Sequence, residues 1–234
     1  MLTHQQVAVS NGSLHVVSFG SSDAPTILYL HGWPESCVAF ATVLSLAGRQ
    51  MYALAVDLPG IGDSTVLNAP STKLAIAECV HDLVQRLNLQ RLTLVGQDVG
   101  GMVVFPYLSR YPDDLERAVI IDVVIPGISP WEEGIRNPFI WHFAFHTIPQ
   151  LPELLVTGKE RAYFDYFYSA ITARPEAITE EAWYHYAKAY GTPTALSTGF
   201  NWYRAFNQDV RDNREALTSW TPSGDTPPVL AGTP

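Results

Sequence analysis

The 234 residues predict an α/β fold: a mostly parallel sheet with flanking helices and an inserted helical segment. Three observations carry this. Continuous apolar runs at 26–30, 51–56 and 91–96 read as strands buried on both faces. Between them lie stretches with helical spacing of apolar residues. After residue 125 the alternation stops and a long aromatic stretch without strand character follows.

In chain order, residues 5–9 and 14–19 alternate apolar and polar around Asn11-Gly12, which predicts a hairpin. The runs 26–30 and 51–56 predict parallel strands, with a helix over 36–48 between them. Residues 71–88 carry Leu74, Ala77, Val80, Leu83, Val84 and Leu87 at helical spacing. A strand over 91–96 runs into a helix over 99–110, which ends before Tyr111-Pro112. Residues 117–123 give the next strand. Residues 1–125 thus form the first part of a core, 126–217 a helical insertion holding most of the eleven tyrosines, and 218–234 a linker leading to a strand from Pro228.

Composition narrows the function. The net charge is −9 and no basic run occurs, which argues against nucleic-acid binding. No apolar run approaches the roughly 20 residues of a membrane span, and the N-terminus lacks the charge and apolar pattern of a signal peptide. Cys37 and Cys79 have no metal or redox spacing and read as reduced thiols of a cytoplasmic protein. No cofactor or metal is expected.

The most informative stretch is Leu94-Val95-Gly96-Gln97-Asp98-Val99-Gly100-Gly101. A tight, glycine-flanked strand-to-helix turn lifts its apical side chain above the sheet. With Asp98 at the apex, that side chain is suited to attack on carbon and formation of an enzyme ester. On this pattern alone, Asp98 also reads as a helix N-cap.

Together with Leu28-Tyr29-Leu30-His31-Gly32-Trp33-Pro34-Glu35-Ser36 and Val56-Asp57-Leu58-Pro59-Gly60-Ile61-Gly62-Asp63-Ser64, the pattern resembles the α/β-hydrolase superfamily. The aspartate at the elbow places the resemblance in its epoxide hydrolase and haloalkane dehalogenase branch. The resemblance implies an α/β-hydrolase fold with a helical cap at 126–217. It implies an epoxide hydrolase that turns a small apolar epoxide and water into a vicinal diol through an ester on Asp98.

Further roles follow from the same resemblance. Asp122, 24 residues on and at the end of the next strand, is the triad acid or else a strand-end turn residue. The backbone N–H groups of Trp33 and Val99 form the oxyanion hole. Tyr203, in Phe200-Asn201-Trp202-Tyr203-Arg204-Ala205-Phe206, donates to the leaving oxygen. His142, after Asn137-Pro138, is its partner donor or a plain hydrogen-bonding residue. His31 is structural.

The triad histidine should follow the last strand, yet the last histidine here is His185. The chain therefore resembles a C-terminally truncated member, with a strand and helices missing and doubtful turnover. Its exposed sheet edge predicts association into a homo-oligomer. Two other readings stay open. One is a haloalkane or haloacid dehalogenase, against which Val99 stands where a halide-binding Trp is usual, with no arginine just after Asp98. The other is a catalytically inactive binding homologue.

Overall fold

The computed structural model of the chain describes residues 2–66, 68–174 and 177–219. The hairpin is β1 (Thr3–Val9) and β2 (Gly12–Phe19), paired antiparallel with Val9 opposite Gly12. Gly12 has φ +150°, and a Cβ there would lie 2.0 Å from the Thr65 carbonyl oxygen. Then follow β3 (Thr26–Leu30), a 3₁₀ turn over Cys37–Phe40, α1 (Ala41–Ala47) and β4 (Tyr52–Val56). The expected helix over 36–48 is thus split, its first turn tightened so that the Cys37 N–H can reach Asp57 Oδ1 at 2.8 Å.

A two-residue strand, β5 (Thr65–Val66), pairs with β2 and is too short to leave a period in the sequence. Next come α2 (Lys73–Arg86), β6 (Leu92–Gln97), α3 (Val99–Arg110) and β7 (Leu115–Ile121). Thr72 caps α2 by accepting from the Ala75 N–H. The helical segment comprises α4 (Trp131–Gly134), α5 (His142–Thr147), α6 (Leu151–Val156), α7 (Glu160–Ile171), α8 (Glu180–Ala189), α9 (Pro193–Arg204) and α10 (Phe206–Ser219). The last of these carries helix two residues beyond the expected boundary at 217. The linker from 220 and the strand from Pro228 lie outside the described residues.

The sheet order is β1-β2-β4-β3-β6-β7. Strands β4, β3, β6 and β7 run parallel, and β1 and β2 join antiparallel at one side. Leu28, Leu30, Leu54, Val56, Leu92 and Leu94 face one layer and are fully buried with α2 and α3. Tyr29, Ala53, Ala55 and Val95 face the other, which α1 covers with Leu44. On that second face Val119 and Ile121 of β7 stay 39% and 42% exposed among the described residues. No helix of the described residues is long and apolar enough to cross a membrane.

Candidate active site

The carboxyl ends of β3, β6 and β7 lie side by side, so the loops that follow them meet at one sheet edge. At its centre is the turn after β6. Asp98 has φ +51° and ψ −124°, a strained geometry for a non-glycine residue, and it opens α3. Its N–H donates to the Ile121 carbonyl at 3.2 Å, and its own carbonyl accepts from the Met102 N–H at 3.0 Å.

Glycine is required on both sides of the turn. A Cβ on Gly96 would lie 2.2 Å from the Gly100 carbonyl oxygen, and one on Gly100 would lie 2.2 Å from that of Leu30. Strand, helix and the neighbouring β3 meet here at backbone distance.

Asp98 Oδ1 accepts from the Trp33 N–H at 2.8 Å, and the Val99 N–H also donates to the carboxylate. The two backbone donors expected from the sequence therefore converge on this side chain. Gly32 allows the approach, since a Cβ there would lie 2.6 Å from the Asp98 Cβ. Burial pushes the Asp98 carboxyl up to about 6. The two N–H donors and the charge of Lys73 oppose that rise, and the charge of Asp122 adds to it.

Asp122 follows β7 directly, at φ +50°, so the structure brings it to the same edge as Asp98. Its side chain is exposed and makes no hydrogen bond among the described residues. His31 is fully buried, with Nδ1 bonded to the Gly32 carbonyl at 2.8 Å and Nε2 accepting from the Leu58 N–H at 3.0 Å. Both ring nitrogens are occupied in holding the loop.

The helical segment closes over this edge around Trp33. The rings of Tyr203, His146 and Phe167 pack edge-on against the indole at 5.6, 4.5 and 5.1 Å, and His142 stacks on it at 6.1 Å. Tyr203 is 1% exposed and its hydroxyl has no partner among the described residues. Burial raises that hydroxyl far above the usual phenol range, and the neighbouring Asp98 charge adds to the rise. His142 Nδ1 is likewise unpartnered, and burial alone draws the imidazole down to about 4, so it is neutral at pH 7. Asp98 and Tyr203 thus share one electrostatic environment, and the His142 ring lies edge-on to that of Tyr203 at 5.9 Å.

Several residues here carried no role in the sequence reading. Glu35 is half-buried beside Asp98, and desolvation together with the Asp98 charge pushes its carboxyl up to about 7, against a bond from the Gly32 N–H. Its one signal is its place in the loop two residues past Trp33. His146, one turn after His142, bonds Tyr163 Oη at 2.7 Å, and burial holds it down near 2. Tyr190 is fully buried with an unpartnered hydroxyl, under the influence of Asp98. Gly199 leaves room for this packing, since a Cβ there would lie 2.8 Å from the Tyr190 ring and 3.0 Å from Trp33 Nε1.

Cys37, without a partner in sequence, lies with its Sγ 3.8 Å from His15 Nδ1. His15 Nδ1 pairs with Asp57 Oδ2 at 2.8 Å, and Asp57 also accepts from the Cys37 and Asp63 N–H groups. Asp57 is thereby satisfied by hydrogen bonds, and burial with the Asp57 charge pushes the Cys37 thiol well up.

A family profile described as alpha/beta hydrolase fold matches residues 25–151. The soluble epoxide hydrolase of Corynebacterium sp. (strain C12) is 28% identical over 237 residues, covering 99% of this chain and 81% of that one. Epoxide hydrolase 4 of Mus musculus is 26% identical over 214 residues, covering 86% of this chain and 59% of that one. Among solved structures, wild-type Cfl2 from Burkholderia cenocepacia superimposes with a TM-score of 0.84 at 33% identity, covering 92% of this chain and 74% of that one.

Proposed function

The chain belongs to the alpha/beta hydrolase fold family, and on that premise we propose that it is an epoxide hydrolase-like enzyme in which Asp98 opens the ring. One observation carries the reading: a carboxylate at a strained elbow, held by the Trp33 N–H, beside the unpartnered hydroxyl of Tyr203. The relatives named epoxide hydrolase support the same chemistry.

In this mechanism the Asp98 carboxylate attacks a ring carbon. The carbon–oxygen bond breaks, and the oxygen takes a proton from Tyr203, with His142 as the second donor from the cap at 126–217. The product of this step is a hydroxyalkyl ester on Asp98. Water then adds to the ester carbonyl, and the developing oxyanion faces the Trp33 and Val99 N–H groups already aimed at that position. Collapse expels an alkoxide; the two protons of the water pass to it and to the Tyr203 phenolate, which releases the diol and returns the Asp98 carboxylate. The second half needs a base for the water proton, with Asp122 as the acid that would orient a histidine. The last histidine in residues 1–234, His185, lies half-buried on α8. The described residues account for the ring-opening half, and that half is the one to assay.

Intact mass after incubation with styrene oxide tests the reading. An added mass of one epoxide, mapped to Asp98 and absent in D98N, is expected. Folded protein that gives neither adduct nor diol overturns the reading. Stabilisation by the epoxide without a mass change would support the inactive binding homologue. The dehalogenase alternative draws on one observation, the buried and unpartnered indole N–H of Trp33, a donor suited to a halide. Halide release from a chloroalkane would decide for it.

A further inference from the structure

We propose that the buried pair Lys73–Asp209 is a positioning device that clamps the end of α9 to the core and holds Tyr203 over Asp98. The inference rests on the epoxide-opening role of Asp98 and Tyr203 given above.

Lys73 is the first residue of α2 in the core, and Asp209 lies in the first turn of α10 in the cap. Both side chains are 1% exposed. Lys73 Nζ donates to Asp209 Oδ2 at 2.9 Å and to the Trp202 carbonyl, and the Lys73 N–H donates to Asp209 Oδ1 at 2.8 Å. The ammonium also lies 4.6 Å over the Phe206 ring.

Such a pair is weak evidence of stabilisation, because removing two charges from water offsets most of their attraction. Its placement says more. Trp202 lies in the last turn of α9, where carbonyls lack intrahelical donors and a cation is favoured. The next residue is Tyr203. Phe206, under the ammonium, packs against the Tyr203 ring at 5.4 Å.

Among the described residues the Tyr203 hydroxyl has no partner to orient the ring from its tip. Its direction is therefore set by backbone and packing, and Lys73 holds both. On the other side Arg204 grips Glu153 with two bonds of 2.8 Å and the Ile148 carbonyl at 3.0 Å. Arg204 thus ties the turn to the cap, and Lys73 ties it to α2 of the core, which packs against the helix α3 that Asp98 opens. The charge of Lys73 reaches Asp98 as well, favouring its carboxylate.

Lys73 touches no reacting atom, so its effect passes either through Tyr203, as proposed, or through its charge at Asp98, and the two routes can be told apart. K73M alone strands a buried carboxylate, whereas K73M/D209N removes both charges and keeps the volume. The rate constant and the final extent of Asp98 alkylation by styrene oxide are measured in K73M/D209N, in Y203F and in the triple variant. The expected result is a rate lower by about 10- to 100-fold at full extent in K73M/D209N, with no further loss when it is added to Y203F. An equal loss in both backgrounds, or none in either, overturns the proposal.

A second measurement needs no reaction. 3-Fluorotyrosine incorporated at Tyr203 should give one ¹⁹F line in the parent chain and a broadened or split line in K73M/D209N. F206L, which keeps the ion pair, should change the line in the same direction. Unchanged lines in both overturn the proposal. A parent chain that is not alkylated refutes the epoxide reading, and the ¹⁹F comparison then decides the positioning role alone.

Discussion

Replacing Asp98 with asparagine should make the protein more stable at neutral pH. The carboxyl is held at about 6, against an ordinary value of 3.8. Two pKa units of mismatch correspond to about 3 kcal/mol that the folded state gives up to keep the group ionised. The sign follows from proton binding. Above about 6 the native carboxylate is charged and the whole cost is present. As pH falls from there towards 3.8, the folded state takes up the proton first and recovers that energy.

Asparagine is neutral throughout. Its carbonyl keeps the bond from the Trp33 N–H, but its amide no longer accepts from the Val99 N–H, a loss of about 1 kcal/mol. Asp98 also keeps some accessible surface, which trims the gain further. The net expectation for D98N is a gain of about 1–2 kcal/mol at pH 7.5, or about 2–8 °C in Tm, shrinking to nothing near pH 4. Urea denaturation of both proteins at pH 7.5, 6 and 4.5 measures it. A variant no more stable than the parent at pH 7.5, or a difference that does not move with pH, would refute the electrostatic account of the elbow.

Three further outcomes are expected. Y203F should slow alkylation of Asp98 by about 100-fold and leave stability unchanged or slightly higher, because the hydroxyl it removes is buried without a partner; a clear drop in urea midpoint would contradict that placement. G100A forces a Cβ to within 2.2 Å of the Leu30 carbonyl oxygen and should cost more than about 3 kcal/mol or prevent folding. G158A, with φ +77° and no atom within 4 Å, should cost only about 1 kcal/mol, and limited proteolysis compares the two. D57N breaks the buried pair with His15 and should cost about 3–5 kcal/mol, measured by urea denaturation at pH 6; a loss below about 1 kcal/mol would mean that the His15 and Cys37 contacts are dispensable.

Asp98 and Lys73 show how differently two residues of one site are written in a sequence. Asp98 is legible because its structural requirement is local. Two glycines, an apolar strand before them and an amphipathic helix after them define a turn within a few residues, and short-range sterics set its backbone. The same holds for His31-Gly32-Trp33, for the hairpin at Asn11-Gly12, and for the alternation of strands and helices up to β7. The sequence by itself determined the fold class, the order of the main elements up to β7 to within a few residues and the loops that meet at one sheet edge. Its resemblance to a family implied donor roles for Tyr203 and His142 in a helical cap.

Only the tertiary structure decided what those groups face. Lys73 and Asp209 are 136 residues apart, and nothing local marks a lysine at the start of an amphipathic helix as buried. Glu35 reads as a turn residue until the sheet edge closes around it and lifts its carboxyl to about 7. The split of the 36–48 helix depends on Asp57, a residue from another strand end that captures the Cys37 N–H. Periodicity reports burial along one element. Charge burial, hydrogen-bond satisfaction and pKa depend on which distant elements pack together, and that is settled by the sum of long-range contacts.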